Sequence, residues 1–219
     1  MNTRFVKFIF FFSLSLLFGK GGGGAFAQSI VTFDAGQVFS TYKYTDSQGN
    51  TEKNLTNNIA GCFSIGYHYK VQNGLFVRTN IGMRKAGASM LVDGMNVSWN
   101  VQYADANIGL GYLLNNWRLK PYVSVSPYFG YMLLANQTIG SDNYDIKKNK
   151  SMAATDFGVF FSPGLKVALS NYIAFYAEYK YILGLQNLEK SAGQKSFNRG
   201  FSINLGVSVT ILKYKHVTT

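Results

Sequence analysis

The sequence is poor in cysteine, histidine and acidic residues, and each shortage excludes a class of protein. It has one cysteine, Cys62, which rules out an internal disulfide framework. The two histidines, His68 and His216, are too few and too far from Cys62 to match the spacing of a zinc site, so we expect no metal ion and no cofactor. Against 21 basic residues there are 10 acidic ones, and the net charge of +11 favours anionic partners.

Long apolar segments are also missing after residue 27, so no later segment could cross a bilayer as a helix. At the N-terminus, basic residues precede the apolar run 8–18, and the small-x-small motif Ala25-Phe26-Ala27 follows it. This pattern predicts a cleaved signal peptide over residues 1–27 and one mature domain over residues 28–219. For an exported protein we expect lipid headgroups and surface polysaccharide, and not nucleic acid, to meet the basic residues.

What the sequence does contain is a two-residue alternation of apolar and polar side chains. Over residues 201–211 the odd positions are apolar and the even positions are small or polar. A strand points successive side chains to opposite faces, so such a segment has one apolar face and one polar face. The same alternation recurs along the chain with charged residues on the polar face, which favours a barrel whose apolar face contacts lipid.

Eight segments of this kind are predicted as strands, at 29–45, 57–70, 75–91, 96–114, 119–135, 153–169, 172–187 and 198–213. Short and long connections alternate between them. The pattern predicts an all-β fold, an eight-stranded antiparallel up-and-down transmembrane β-barrel (a meander) with short periplasmic turns and long extracellular loops. A soluble lipocalin-like barrel is the alternative, in which the facing is reversed and the charges are buried around a ligand.

The strand parity places eight ionisable residues on the predicted lumen side. They are Asp34, Arg78, Arg84, Asp105, Asp156, Lys166, Glu178 and Lys180. On the lipid face each would cost about 2–4 kcal/mol at the midplane, whereas inside a narrow barrel they can pair with one another. Because eight strands leave an interior just wide enough for side chains, we expect a polar network that plugs the lumen.

Basic residues also cluster in the predicted outer loops. A solvated, mobile loop is the simple interpretation of them. The sharper hypothesis is that they contact lipopolysaccharide phosphates. The residues concerned are Lys147, Lys148, Lys150, Lys190, Lys195 and Arg199.

The pattern as a whole resembles the small outer-membrane β-barrels of the OmpA/OmpX-like porin family, and most closely the barrel-domain proteins of Bacteroidetes, including PorT-like members. The most specific part of the resemblance is the last strand, where Asn204, Gly206, Val209 and Ile211 match the polar-x-Gly-x-x-apolar-x-apolar assembly signal of such barrels. The sequence departs from the family in its last six residues, which do not end on an aromatic. The resemblance implies residence in the outer membrane of a Gram-negative bacterium. It also implies insertion by periplasmic chaperones and the barrel-assembly machinery.

These observations lead to a non-enzymatic outer-membrane protein with a structural, adhesive or interaction role at the cell surface, and with an unidentified surface or envelope protein as a possible partner. We expect no catalytic site, because no nucleophile and base are spaced for hydrolysis. One alternative is a narrow channel or a lateral conduit, opened between the fifth and sixth strands by Gly158, Gly164, Pro127 and Pro163. Each of the two prolines should lie at a bulge or at a weakened pairing of strands, and a bulge is the simpler interpretation. Another alternative, resting on the resemblance alone, is a secretion-system component similar to PorT-like proteins.

Overall fold

The structure is a computed structural model, and it describes residues 28–71, 73–92, 94–114 and 118–213. The predicted signal peptide, residues 1–27, and the C-terminal residues 214–219 lie outside the described residues. None of the described segments is a helix with the length and hydropathy that crossing a bilayer requires.

The described residues form nine strands, of which eight close into a ring. The strands are β1 (Gln28–Thr45), β2 (Thr56–Lys70), β3 (Leu75–Val92), β4 (Met95–Leu113), β5 (Leu119–Ile139), β6 (Asp142–Asp145), β7 (Thr155–Ala168), β8 (Ile173–Gly184) and β9 (Lys195–Lys213). Each ring strand pairs antiparallel with its neighbours in sequence order, β5 pairs directly with β7, and β1 pairs with β9 to close the barrel. The predicted eight-stranded up-and-down barrel is confirmed.

The structure differs from the sequence-based strands mainly at the end that carries the long loops. There β5 continues to Ile139 and folds back on β6, so part of the predicted loop 136–152 is a short hairpin. The last outer loop also ends earlier than predicted, because β9 already begins at Lys195. Residues 136–138 are all polar, so the two-residue alternation that identifies a lipid-facing strand is absent there although pairing continues.

The facing predicted from parity holds along the strands. Alternate residues are exposed apolar side chains on the outside of the ring, such as Ile81, Leu205 and Ile211, while their neighbours point into the lumen. On the outside, Phe39, Phe201 and Tyr179 form a stack with ring centroids 4.8 Å and 5.3 Å apart. An apolar and aromatic exterior around a polar interior is the arrangement that a lipid-embedded barrel requires.

Short turns and long loops segregate to opposite ends of the barrel. The turn after β2 is tight, and Asn73 and Gly74 both have positive φ, at 51° and 85°. This conformation explains the Asn-Gly pair, because glycine and asparagine adopt positive φ at low cost. The connections 46–55 and 185–194 lie at the other end. By the usual rule for outer-membrane barrels, the short turns mark the periplasmic end and the long loops mark the outer end.

Pro127 and Pro163 are accommodated without the expected bulges. The ladder between β5 and β7, the fifth and sixth strands of the ring, runs in one register from Leu119 to Tyr131. Two other ladders are interrupted instead. Pairs are missing beside Pro127 between β4 and β5 and beside Pro163 between β7 and β8, and each ladder resumes in the same register after the interruption. A proline nitrogen donates no hydrogen bond, so one ladder is interrupted on the side it faces. The structure therefore shows the weakened pairing that proline allows, whereas the preferred interpretation of bulges and the predicted gap between the fifth and sixth strands are wrong.

Several lumen glycines make room for aromatic rings of the neighbouring strand. A Cβ added at Gly164 would collide with the ring of Tyr122, and one at Gly206 would collide with the ring of Tyr176. The ring of Tyr122 cannot move freely, because its hydroxyl donates a 2.9 Å hydrogen bond to Glu178. Glycine is therefore needed at these positions so that the rings can lie flat against the inner wall of the barrel.

We predict that Gly164→Ala lowers the free energy of unfolding by about 1–3 kcal/mol, because the added methyl displaces Tyr122 from Glu178. The matched control is Gly61→Ala, whose Cβ would meet nothing within 4 Å. Urea unfolding of both variants in detergent checks this. Equal stability of the two variants would contradict the packing described here.

Candidate functional site

An ion-pair layer centred on Arg84 crosses the lumen in its outer half. Arg84 Nε lies 2.7 Å from Asp105 Oδ2, and Arg84 Nη2 lies 3.0 Å from Asp156 Oδ2. The guanidinium also lies over the rings of Tyr103 and Tyr128, at 5.1 Å and 5.2 Å from their centroids. Removed from water, this cation is thus stabilised by two carboxylates and two aromatic faces.

Asp156 is the acceptor at the centre of this layer, and it is 0% exposed. Besides Arg84, its Oδ2 accepts hydrogen bonds from Tyr128 Oη at 3.0 Å and from Asn198 Nδ2 at 2.7 Å. A buried carboxylate is tolerated when charged and polar donors surround it in this way. We refer to Arg84, Asp105, Asp156, Tyr128 and Asn198 as the outer ion layer.

A second ion-pair layer lies closer to the periplasmic end. Arg78 Nη1 lies 2.6 Å from Glu178 Oε2 and donates a 2.8 Å hydrogen bond to Ser124 Oγ. Tyr122 Oη donates to the same Glu178 oxygen at 2.9 Å. Lys180 Nζ reaches the other oxygen of Glu178 at 3.8 Å. These five residues form the inner ion layer.

Asp34 and Cys62 complete the polar interior without an ion pair. Asp34 Oδ2 accepts hydrogen bonds from Ser64 Oγ at 2.6 Å and from Tyr176 Oη at 3.0 Å. The Cys62 thiol donates to Asn204 Oδ1 at 3.1 Å. Cys62 is thus a small lumen residue whose thiol has a hydrogen-bond partner.

Apolar side chains fill the lumen between and above these layers. Between them lies a cluster of Val38, Tyr128, Phe160 and Ile182. Above the outer ion layer, a larger cluster contains Ala86, Val101, Tyr103, Met132, Ala135 and Ile146. The space left beside Arg84 and Lys180 is only about 30 Å³, the volume of about one water molecule. Described side chains therefore close the cross-section of the barrel at several levels.

Of the eight residues predicted for the lumen network, the structure joins seven and leaves one apart. Six take part in ion pairs, Asp34 is held by hydroxyls, and Lys166 faces a separate cavity at the periplasmic end with no ion pair among the described residues. Sequence reasoning missed the neutral donors Tyr122, Tyr128, Tyr176 and Asn198. Their lumen-facing parity was the available signal, but tyrosine occurs on both faces of this barrel.

The basic residues predicted to meet lipopolysaccharide fall into two separate groups. Lys147, Lys148 and Lys150 follow β6, and Lys147 Nζ donates to the Leu133 carbonyl at 2.6 Å. Lys190, Lys195 and Arg199 lie in the last outer loop and on β9. The Arg199 guanidinium donates to the Gly184 carbonyl at 2.7 Å.

The structure adds two cations on the exterior that were not predicted. Lys43 of β1 lies opposite Phe197, between the register positions of Lys195 and Arg199. Lys85 is exposed on β3, beyond the apolar outward residues of that strand. We refer to Lys43, Lys85, Lys195 and Arg199 as the outer cation belt. Their position on the outside of the ring, towards its outer end, suits contact with anionic headgroups.

The strands continue past this belt. β3 and β4 have 18 and 19 residues, compared with the ~9–11 needed to cross a bilayer, and they stay paired up to Val92 and Met95. At the end of this hairpin Leu91 is 70% exposed, Met95 is 50% exposed and Val92 is also exposed. We refer to Leu91, Val92 and Met95 as the apolar tip.

The first outer loop, 46–55, is ordered by its own hydrogen bonds. The Asp46 carboxylate accepts from the backbone amides of Gln48 at 2.9 Å and Asn50 at 2.8 Å. The Asn50 amide is the main reason that the pKa of Asp46 lies below its usual value. Nearby, a cavity of about 410 Å³ opens among Tyr42, Leu55, Trp99 and other residues of the outer end.

The residues of the predicted assembly signal divide between the two faces of β9. Asn204 and Gly206 face the lumen, where they meet Cys62 and Tyr176, while Val209 and Ile211 are exposed on the outside. Among the described residues, no group of three or more His, Cys, Asp and Glu side chains is placed to hold a metal ion.

The comparisons with known proteins agree with this architecture. Residues 13–210 match the family model described as outer membrane protein beta-barrel domain. Neisserial surface protein A (NspA) aligns with a TM-score of 0.50 and 15% identity, covering 84% of this chain and 99% of that one. OprG from Pseudomonas aeruginosa aligns with a TM-score of 0.53 and 11% identity, covering 86% and 98%. At these identities the likeness shows the fold alone. No curated protein sequence matches this chain.

We predict that Arg84→Met lowers the free energy of unfolding by about 3–5 kcal/mol, because two buried carboxylates lose their cation. Adding Asp105→Asn and Asp156→Asn should recover most of that loss, because the remaining groups are neutral. Urea unfolding of the single and triple variants measures both effects. A triple variant no more stable than Arg84→Met would contradict the assignment of the cost to unpaired charge.

We also predict that Cys62 reacts slowly with a charged, water-soluble thiol reagent while the barrel is folded, because side chains close the lumen on both sides of it. Unfolding in urea should make the reaction fast. The matched control is Ser47→Cys in the exposed first outer loop, combined with Cys62→Ser, which should react quickly in the folded state. Equal rates for the two folded proteins, followed by mass spectrometry, would show that solvent reaches the lumen.

Proposed function

Because the chain belongs to the outer membrane protein beta-barrel domain family, we propose that it is a non-enzymatic protein of the Gram-negative outer membrane that acts by binding at the cell surface. The predicted signal peptide exports it, and periplasmic chaperones and the barrel-assembly machinery insert it. An unidentified surface or envelope protein is its partner. The barrel itself is a closed support for the outer end.

The apolar tip is the observation that carries this proposal. Leu91, Val92 and Met95 lie at the end of the β3–β4 hairpin, beyond the lipid-facing part of the barrel. Apolar side chains at this place do not contact lipid, so their exposure needs another explanation. Clusters of exposed apolar residues mark interaction sites. The hairpin is also rigid, since it continues the ladder of two ring strands, so the tip is presented to a partner at a low entropic cost.

The closed lumen supports a binding role over transport. The outer and inner ion layers each bridge strands across the barrel, and apolar clusters fill the space around them. The buried carboxylates Asp105, Asp156 and Glu178 are each held by an arginine, so none faces a substrate cavity as a free acid or base. This arrangement favours a scaffold and supports the non-enzymatic assignment.

The outer cation belt supports a surrounding of lipopolysaccharide. Its four cations lie on the outside of the ring towards the outer end, so they can pair with phosphate groups of the outer leaflet. An exposed ion pair between one of these cations and a phosphate group contributes little binding free energy. The belt therefore sets the depth of the barrel in the membrane and does not select a specific ligand.

A second candidate function is a lateral conduit for small apolar molecules, at a different place in the barrel wall from the one that the sequence predicted. The ladder interruptions beside Pro127 and Pro163 weaken two pairs of strands at about the middle of the barrel wall. A conduit would open at one of these, between β4 and β5 or between β7 and β8. A secretion role like that of PorT-like proteins rests on the sequence resemblance alone.

We predict that bacteria producing this protein attach to one another or to surfaces more than vector controls do, and that the combined variant Leu91→Ser, Val92→Thr and Met95→Ser loses the effect. The reason is that the variant removes the exposed apolar side chains while keeping the hairpin. The measurement is attachment per cell, at equal amounts of heat-modifiable protein in the outer membrane.

The matched control is Gln48→Ser, an exposed polar substitution in the neighbouring outer loop, which should keep full attachment. No attachment above vector by the unchanged protein, or equal attachment by the tip variant, would contradict the surface-binding proposal.

A further inference from the structure

A cavity opens at the periplasmic end of the lumen, next to the inner ion layer. It has a volume of about 100 Å³, enough for a group of several heavy atoms. Phe76, Tyr122 and Tyr176 form an apolar cluster on its inner side, towards the inner ion layer. This places the cavity between that layer and the periplasm.

Three lysines from three different strands line this one cavity. Lys70 is the last residue of β2, Lys120 is the second residue of β5, and Lys166 lies near the end of β7. All three are half-buried. Lys120 and Lys166 are direct register partners in the β5–β7 ladder. Like charges placed directly opposite each other on paired strands are destabilising, so the folded chain alone gives no reason for this arrangement.

The described residues around the cavity supply no anion that would balance these charges. None of its lining residues is an aspartate or a glutamate, and none of the three lysines takes part in an ion pair among the described residues. Glu178 and Asp34, the acids bonded to the lining residues Tyr122 and Tyr176, form no ion pair with these lysines. The described part of the chain therefore leaves the positive charge unbalanced and available to an anion.

A further polar group of the cavity is buried without a partner. Thr32 is 1% exposed, and its Oγ1 has no hydrogen-bond partner in the described part of the chain. Buried polar groups are normally satisfied, so this hydroxyl beside three unpaired cations favours a bound ligand. The His68 ring, which also lines the cavity, stacks on Phe76 with ring centroids 5.5 Å apart.

From these observations we propose that the periplasmic end of the lumen is a binding site for a phosphate group, carried either by a soluble phosphate compound or by a lipid headgroup. A phosphate group presents its negative charge on several oxygens at once, which suits three lysine ammonium groups, and lysine binds phosphate as a point charge. The Ser170 hydroxyl and the Asn171 amide line the same cavity and can donate to further oxygens. The site does not depend on the surface-binding role proposed above.

The test is calorimetric titration of the folded mature chain in dodecyl maltoside with inorganic phosphate and with glycerol 3-phosphate, at constant ionic strength set by chloride. Saturable binding is expected, and the double variant Lys120→Gln and Lys166→Gln should bind at least tenfold more weakly. The matched control, Lys147→Gln with Lys148→Gln in an exposed outer segment, should bind like the unchanged protein. No saturable binding, or equal binding by both double variants, would overturn the proposal.

A second measurement keeps the proposal testable if a variant folds poorly. In chloride without phosphate, Lys70→Gln and the double variant should unfold at higher urea concentrations than the unchanged protein, because repulsion is relieved. In phosphate that advantage should disappear, because only the unchanged protein gains a ligand. An advantage that is independent of phosphate would overturn the proposal.

Repeating the titration in nanodiscs distinguishes a lipid headgroup from a soluble compound as the source of the phosphate group. If phosphatidylglycerol headgroups fill the site, glycerol 3-phosphate binding should be lost in nanodiscs of that lipid. If the ligand is soluble, the binding should persist there. Both outcomes support a phosphate site and assign its source.

Discussion

The structure depends above all on the contact between Arg84 and the buried carboxylate of Asp156. Through Asp105, Tyr128 and Asn198, the outer ion layer connects five of the eight ring strands, β3, β4, β5, β7 and β9. The backbone ladders alone set only the neighbours of each strand, whereas this layer fixes strands that lie across the lumen from one another. Without it, the interior would have to hold water or collapse, because the outward face is committed to lipid.

Closing the lumen in the middle separates the two ends of the barrel and leaves them free for different tasks. The outer end has long strands, a cation belt at the membrane boundary and the apolar tip of Leu91, Val92 and Met95. The periplasmic end has short turns and a cavity lined by Lys70, Lys120 and Lys166. No path through the described lumen connects these two ends, so we assign binding, and not transport, to each of them.

The sequence predicted the ring, its facing and its charged interior because the lipid boundary imposes a two-residue period on each strand. It could not predict what lies beyond that boundary, and residues 136–139 pair although they show no alternation. It also grouped Lys166 with the network, since parity gives the face of a residue but not its height. The neutral tyrosines were missed because tyrosine occurs on both faces of this barrel. The bulges expected at Pro127 and Pro163 did not occur, because a ladder can lose pairs on one side without changing register.

The claim that side chains close the lumen is tested most directly by single-channel conductance of the unchanged protein in planar bilayers. Heat-modifiable gel mobility of the same sample shows that it is folded. The account predicts no discrete openings from folded protein, because two ion layers and the apolar clusters lie across the conduction path. Reproducible openings of constant size would contradict it and make transport the leading function.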